Sequence, residues 1–178
     1  AKSIDHQVIL QYLFDPLILQ GAGITVLMTA LSMVIATSLA TGLAVMKLSE
    51  NRLLRIISTG YIEFFRGTPL LLQIVFWGYL GIIYPHITLG VPFTSVVWFD
   101  QPTAMVISSF TAGLIALSLN EAAYAAEIVR AGIMSVDKGQ EEAAKSLGMG
   151  SWYTMRRIVL PQAMRVIIPP MGNETISM

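Results

Sequence analysis

The sequence predicts an all-α fold, a polytopic transmembrane helical bundle that forms a single domain over residues 1–178. Two observations predict it. Only 12% of the residues are charged, whereas 54% are hydrophobic, and this is about half the charged fraction of an ordinary soluble domain. Charged residues are also absent from 16–46, 67–99 and 101–120. Each gap is long enough for a membrane-spanning helix, which needs about 20 apolar residues.

The alternative is a soluble protein whose apolar helices are buried in a large core. Three such helices would need far more chain to cover them, so the membrane interpretation is favoured. The N-terminal residues 1–5 also lack the basic-then-apolar layout of a cleaved signal peptide.

Composition excludes several classes of function. Eleven basic residues balance eleven acidic ones, and no basic cluster with interleaved aromatics indicates a nucleic-acid groove. The chain has no cysteine, which excludes a disulfide scaffold, a thiol nucleophile and a zinc site built on cysteine. His6 and His86 are far apart in the sequence. We therefore predict neither a metal site nor a catalytic set of residues in this chain.

We expect four helical regions, and the 84–102 segment is expected to be a loop because it contains three prolines and a glycine. The second region should be interrupted at 66–69, where Arg-Gly-Thr-Pro occurs. The fourth is an apolar run that only begins before the sequence ends, so the last span is expected to be incomplete. The four expected regions are 23–46, 53–84, 103–134 and 166–178.

Basic residues predict the orientation of these regions. They flank the 47–55 connection and crowd the segment that follows residue 130, whereas the 84–102 loop has no lysine or arginine. Basic loops stay on the cytoplasmic side of a membrane. We therefore expect the N-terminus and the 84–102 loop outside, and the 137–161 segment in the cytoplasm.

The 137–161 segment has the pattern of two short helices joined by a tight turn. Asp137 is expected to cap the first helix, and Gly148 lies where a helix end favours a left-handed residue. Ser151 is expected to cap the second helix, and Pro161 should limit how far that helix continues undistorted.

The first of these two helices has the features of a docking surface for another protein. Ala143 and Ala144 leave almost no side chain on part of one face, so a partner could approach closely. Glu141, Glu142 and Lys145 supply charges around that patch.

The same segment resembles the EAA loop of the membrane subunits of bacterial ABC importers. The wider sequence is similar to the polar amino-acid permease branch, in the stretches FRGTPL from Phe65, AYAAEIVRAGI from Ala123 and LPQAMR from Leu160. All seven fixed positions of the EAA loop are matched at the fixed spacing. They are Glu142, Ala143, Ala144, Gly148, Ile158, Leu160 and Pro161.

The resemblance implies an ABC importer permease fold, with about five spans in the full chain. It implies that the 137–161 loop is a coupling helix inserted into one of two partner ATPase subunits, which bind ATP and magnesium in place of this chain. The other partners that it implies are a second permease subunit, identical or related, and an extracytoplasmic substrate-binding protein. The function that it implies is import of a polar or charged amino acid across the bacterial inner membrane.

Polar residues at membrane depth form the candidate substrate pathway, because such residues are costly in lipid and are therefore functional candidates. Glu121 follows an uncharged run and has no local partner, so a substrate ammonium group or a basic residue on another helix would pair with it. Glu127 can instead pair with Arg130 at i, i+3. The candidates are Asn120, Glu121, Tyr124, Glu127, Arg66 and Thr68, and Asn173 and Glu174 form a weaker third site.

The interruption near Arg66 has two interpretations. Thr68 and Pro69 could start a half-helix whose N-terminus points at an anion, as in discontinuous transporter helices. Alternatively, the break is a bend between an interfacial helix at about 50–65 and the span, and Arg66 extends its charge to the headgroups.

Two other classes of function remain as alternatives. An ion-gradient-driven secondary transporter or a channel acting alone would use Glu121 or Glu127 as a proton or cation site. Such a transporter often shows an internal repeat of spans, and none is visible. A membrane-embedded enzyme would need a nucleophile–base or metal arrangement, which two distant histidines do not supply.

Overall fold

The computed structural model describes residues 14–91 and 97–178. The expectations for the first residues and for His6 lie outside this part of the chain. In chain order the helices, α1 to α9, are Pro16–Leu48, Arg52–Gly67, Leu70–Gly78, Leu80–Ile83, Thr103–Val106, Ser109–Met134, Lys138–Ser146, Ser151–Thr154 and Leu160–Ser177. A π-helical turn, Met155–Val159, joins α8 to α9, and two strands, β1 (His86–Gly90) and β2 (Val97–Pro102), lie between α4 and α5.

Two of the described helices, α1 and α6, are long and apolar enough to cross a membrane. They have 33 and 26 residues, so they extend roughly 50 Å and 39 Å. α1 starts earlier than the sequence predicts because Asp15 caps it, its carboxylate accepting a hydrogen bond from the Leu17 N–H at 2.8 Å. A mostly helical architecture of membrane-span type is therefore confirmed, and the total of about five spans stays a prediction.

Small residues bring α1 and α6 together along their length. Ser32, Ala36, Ala40 and Ala44 recur every fourth residue of α1 and are completely buried. Small side chains let two helix backbones approach closely in a membrane. This small-residue seam makes the α1–α6 interface the most extensive one among the described elements. The residues buried on the α6 side include Ala112, Ala116, Ala122, Ala123, Ala125 and Ala126.

The predicted interruption of the second helical region is present. α2 ends at Gly67, and α3 begins at Leu70 with Pro69 in the N-cap position. Thr68 does not cap α3, because its hydroxyl donates a hydrogen bond at 2.9 Å to the Phe64 carbonyl in the helix before the break. In the half-helix interpretation, which was one of two left open, the role of Thr68 as the cap is therefore wrong.

The 84–102 segment contains a β-hairpin, so the expected loop and the strictly all-α class are both corrected. β1 and β2 pair antiparallel, with His86 opposite Pro102 and Gly90 opposite Val97. The His86 Nδ1 atom lies 2.9 Å from the Asp100 Oδ1 atom across the pair. Of the prolines that suggested a loop, the two that the structure describes are Pro85, which precedes β1, and Pro102, which ends β2, where the missing N–H costs little.

The third helical region is also divided. α5 ends at Val106, and α6 begins at Ser109 with Ser108 as its N-cap, the Ser108 hydroxyl accepting a hydrogen bond from the Thr111 N–H at 3.2 Å. α6 then continues to Met134, where the sequence predicts its end.

The last helix, α9, packs against α6 and α1 through a small apolar cluster. Ala163 and Ile167 on α9 contact Val129 on α6 and Ala44 on α1. Gly132 lies directly under Ile167, and a Cβ atom built at Gly132 would overlap the Ile167 side chain and lie 3.3 Å from the Ala163 carbonyl oxygen. The backbones of α6 and α9 therefore meet where only glycine fits.

We expect Gly132→Ala to destabilise the protein by ~1–3 kcal/mol, the usual range for an overfilled core. Thermal unfolding of the purified protein measures it. Gly42→Ala is the matched control, because a Cβ there meets no atom within 4 Å. Adding Ile167→Ala to Gly132→Ala should recover part of the loss, and equal unfolding temperatures for the two glycine variants would contradict the packing argument.

Candidate functional site

The 137–161 segment folds as a short helix with defined ends. Asp137 caps α7, its carboxylate accepting a hydrogen bond from the Gly139 N–H at 2.7 Å. At the other end the Met149 N–H donates to the Ala144 carbonyl at 3.0 Å, and the Gly148 N–H donates to the Lys145 carbonyl at 2.9 Å. This pair of bonds is a Schellman motif, and it requires the positive φ of +77° that Gly148 adopts. The predicted cap and left-handed glycine are both present.

The second helix of the segment differs from the prediction at its N-cap. The N-cap is Gly150, and Ser151 is the first helical residue without a capping bond, so Ser151 does not cap. As predicted, the helix does not continue undistorted up to Pro161. It widens into the π-helical turn just before α9, and Pro161 then occupies the first turn of α9, where a missing N–H is tolerated. The segment is therefore continuous with α9.

Within the candidate docking surface, the two alanines differ in exposure. Ala143 and Glu142 are exposed, whereas Ala144 is only 4% exposed and packs inward. The expected two-alanine patch is therefore reduced to one residue. Glu141 and Lys145 form an ion pair at 2.7 Å, and the hydrogen bond that the Lys145 ammonium donates to the Glu141 carboxylate raises the pKa of that ammonium.

The remaining matched positions lie beyond the turn. Gly148, Leu160 and Pro161 are exposed, and Ile158 is half-buried beside them in the π-helical turn. The exposed surface of the segment thus runs from Glu142 across the turn to Pro161. It leaves Glu142 as a carboxylate with no ion pair in the described part of the chain.

Three of the candidate pathway residues hold the α2–α3 break against α6. The Asn120 amide donates a hydrogen bond at 3.0 Å to the Phe65 carbonyl near the end of α2. The Arg66 guanidinium lies over the Tyr124 ring, 5.1 Å from its centroid, where a cation–π attraction operates. Both contacts join α6 to the end of α2 and stabilise the bend.

Gln73 completes this bend, and the sequence interpretation did not select it. Its amide donates to the Phe65 carbonyl at 3.1 Å, to the Thr68 carbonyl at 3.2 Å and to the Thr68 hydroxyl at 2.8 Å. Thr68 therefore belongs to the same network as a hydrogen-bond partner. The position of Gln73, one turn beyond Pro69 in an otherwise apolar helix, is the signal that could have identified it.

Glu127 is paired on both sides. Its Oε1 atom accepts from the Lys47 ammonium at 2.5 Å, and its Oε2 atom lies 2.9 Å from Arg130 Nη2. The predicted Glu127–Arg130 pair is present, and Lys47 extends it to the end of α1. Sequence reasoning used Lys47 only for orientation, because nothing local shows that a residue 80 positions away in sequence is its partner.

Glu121 is set apart from the other candidates. It is only 6% exposed, and its Oε1 atom has no hydrogen-bond partner within the described residues. Its electrostatic neighbour is Glu174 on α9, so Glu174 joins Glu121 rather than a separate site. Neither carboxyl group forms an ion pair in the described part of the chain, so the two would suit a positively charged ligand group.

The candidate residues therefore form three groups instead of one surface. The first holds the helix break, the second is the Lys47–Glu127–Arg130 ion-pair cluster, and the third is the buried Glu121 beside Glu174. Among residues 14–91 and 97–178, no three histidine, aspartate or glutamate side chains are arranged to hold a metal ion.

Comparison with known proteins places these features in a family. A family model described as the binding-protein-dependent transport system inner membrane component matches residues 32–178. The chain is 48% identical over 167 residues to the arginine transport system permease protein ArgU of Corynebacterium glutamicum, covering 94% of this chain and 51% of that protein. It is 40% identical to the probable amino-acid ABC transporter permease protein YckA of Bacillus subtilis, over 92% of this chain and 64% of that protein.

A third relative is the putative glutamine transport system permease protein GlnP of Rickettsia bellii, with 38% identity over 93% of this chain and 69% of that protein. The chain thus spans between half and about two thirds of the length of these relatives. A crystal structure described as an amino acid ABC transporter with histidines is similar at a TM-score of 0.77 and 36% identity, over 99% of this chain and 72% of that chain. Together, these matches and the membrane-type helices show that the chain belongs to the family of inner-membrane permease components of binding-protein-dependent transport systems.

Proposed function

We propose that this chain is the membrane subunit of an ATP-driven importer for a polar or charged amino acid. The observation that carries the proposal is the 137–161 segment, called the coupling loop from here on. It presents an exposed, capped helix, and its π-helical turn continues without a break into α9. A force applied to α7 would therefore reach the packed helices through continuous helical backbone.

The mechanism requires partners that supply energy and substrate. Two ATPase subunits would bind ATP and magnesium and would each grip one coupling loop, because this chain offers a docking surface rather than a nucleotide site. A second permease chain, identical or related, would complete the pathway. An extracytoplasmic binding protein would deliver the amino acid to the outer face, where the β1–β2 hairpin lies in the proposed orientation.

The proposed orientation places the coupling loop in the cytoplasm. It rests on the basic residues near the ends of α1 and α6, which favour the cytoplasmic side. Lys47 and Arg130 lie at this level, held by Glu127. Their location at one end of both long helices supports a single cytoplasmic boundary for the bundle.

The third group of candidates, Glu121 beside Glu174, supports a ligand that carries a positive charge. A buried carboxylate oxygen without a partner is costly unless a donor occupies the site at some stage. The ammonium group that every amino acid carries, or the side chain of a basic one, would supply that donor. Two relatives are described as arginine transport permeases, and arginine is a ligand with a positively charged side chain.

The ion-gradient alternative has less support. A proton or cation site needs a carboxylate that can change partners, and Glu127 is already shared by Lys47 and Arg130, which leaves this alternative with Glu121 alone. Such a transporter would also have no use for the exposed coupling loop. The importer therefore accounts for more of the described residues.

Coupling is tested by placing the same side chain at two glycines of the loop. Gly148→Ser puts a Cβ atom at a φ of +77°, whereas Gly150→Ser puts one at a φ of −67°, which any residue adopts. The left-handed conformation costs a non-glycine residue ~1–2 kcal/mol. In Gly148→Ser this cost lowers the population of the capped turn roughly fivefold or more. We expect ATP-dependent uptake in vesicles to fall by the same factor, because the turn sets the position of α7.

Gly150→Ser should transport like the unchanged protein, since serine is favoured at an N-cap. Copurification of the ATPase subunits with both variants reports whether α7 still docks. Normal uptake by the Gly148→Ser variant would count heavily against the coupling role.

The substrate contact is tested by Glu121→Gln in the purified complex. Losing a charge-assisted hydrogen bond of ~1.5–3 kcal/mol should weaken arginine binding about tenfold to a hundredfold. Titration calorimetry measures this affinity, and Glu50→Gln, an exposed carboxylate in the connection after α1, is the control. An unchanged arginine affinity in Glu121→Gln would remove Glu121 from the substrate pathway.

A further inference from the structure

Helix α2 carries its charges on one narrow side. With about 100° between successive residues of an α-helix, its four charged residues fall within about 80° of one another. Leu53, Ile56, Ile57 and Phe64 fall within about 100° on another side, and all four are exposed. The charged residues are Arg52, Arg55, Glu63 and Arg66.

The packed side of α2 fixes how these two sectors are directed. Ser58 and Ile62 are the buried residues of the helix, and Ile62 contacts the α1–α6 seam at Ala40. The exposed apolar sector points almost directly away from this packed side. The charged sector points at about a right angle to both. This arrangement suits a helix beside the bundle with lipid on its outer flank and water or headgroups along its charged edge.

The N-terminal half of α2 makes little contact with the rest of the described chain. Every residue from Arg52 to Ile57 is exposed. Arg52 and Arg55 form no ion pair within residues 14–91 and 97–178. Two unpaired arginines therefore stand beside an exposed apolar sector at the end of α1, close to the level of Lys47.

The contacts of α2 with α6 give α2 a shallow angle to the membrane. The segment from Leu70 to Ile83, which holds α3 and α4, rises only about 21 Å, which is short of a hydrocarbon core of about 30 Å. The end of α2 makes up the difference, because the Phe65 carbonyl accepts a hydrogen bond from Asn120, seven residues or about 10 Å before Glu127 on α6. With its start near the cytoplasmic boundary, α2 rises by less than half of its length of about 24 Å.

We propose that α2 lies along the cytoplasmic leaflet as an amphipathic helix and that Arg52 and Arg55 bind the phosphates of anionic phospholipids there. The proposal rests on the orientation given under Proposed function. The cytoplasmic leaflet attracts basic segments, and each arginine near its surface strengthens this attraction about fivefold. An amphipathic helix with a basic edge buries its apolar face at the level of the headgroups.

The rival is an upright α2 whose charged edge lines a water-filled passage between two permease copies. In that case Arg52 and Arg66 would differ in depth by the full length of the helix. An upright helix with this edge toward lipid is excluded by the cost of four charged side chains in hydrocarbon. The depth of α2 therefore separates the proposal from its rival.

Depth is measured in the assembled transporter in nanodiscs of phosphatidylcholine and phosphatidylglycerol. Residues 1–178 contain no cysteine, so Ile56→Cys and Phe64→Cys each introduce one thiol into this chain, and a nitroxide is attached to it before the transporter is assembled. The two positions are about 12 Å apart along the helix axis. Electron paramagnetic resonance with oxygen and a water-soluble relaxant gives each depth. We expect a difference below about 6 Å, and any larger difference overturns the interfacial placement.

Lipid binding is measured with spin-labelled phosphatidylglycerol and phosphatidylcholine. Removing both charges, Arg52→Gln with Arg55→Gln, should reduce the preference for phosphatidylglycerol about tenfold or more, given two contacts of this strength. The control pair Arg52→Lys with Arg55→Lys keeps the charges and should keep the preference. An unchanged preference in the glutamine pair overturns the lipid contact. Neither measurement needs ATP or an amino acid, so a failed transport test and a failed lipid test are distinguishable.

Discussion

The rest of the described structure depends on the close approach of α1 and α6. The small residues of the α1 seam remove side-chain bulk for four successive turns, so that van der Waals contact can hold the two backbones together without a hydrophobic driving force. Because the helices are this close, the ammonium of Lys47 can reach Glu127 at the end of the seam. Helices α2 and α9 pack on this pair, α2 through Ile62 and α9 through Ile167.

This arrangement separates the polar groups between the helices into those with partners in the described part of the chain and one without. Asn120, Gln73 and Thr68 satisfy backbone carbonyls at the α2–α3 break, which would otherwise lack partners in lipid. Glu127 is neutralised by two cations. Glu121 has neither kind of partner, and this contrast on a single helix makes it the strongest substrate-pathway candidate.

Features governed by neighbouring residues were predictable from the sequence. Asp137 and Gly148 act within one turn of α7. The charge-free stretches around α1 and α6 are visible in the sequence because the hydrocarbon of a membrane disfavours charged side chains. The β1–β2 hairpin was not predicted, because its pairing joins residues on both sides of a proline-containing segment and the prolines favoured a loop. Three contacts between helices were also missed, namely Lys47 with Glu127, Asn120 with Phe65 and Glu174 with Glu121. A contact between two helices leaves no periodic signal in the sequence of either helix.

The π-helical turn has a consequence for which side of the chain reaches the bundle. Thr154 and Val159, five residues apart, are both buried, whereas Val159, Ala163 and Ile167 follow at intervals of four. On an unbroken α-helix a five-residue step rotates a side chain by about 140°, which would turn one of the first two outward. The wider turn absorbs one extra amino acid, as i→i+5 bonding allows. Deleting a single residue from Met155–Val159 would therefore restore a regular helix and leave Thr154 four residues before Val159, still on the face that meets the bundle, so that the loop kept its direction beneath the membrane.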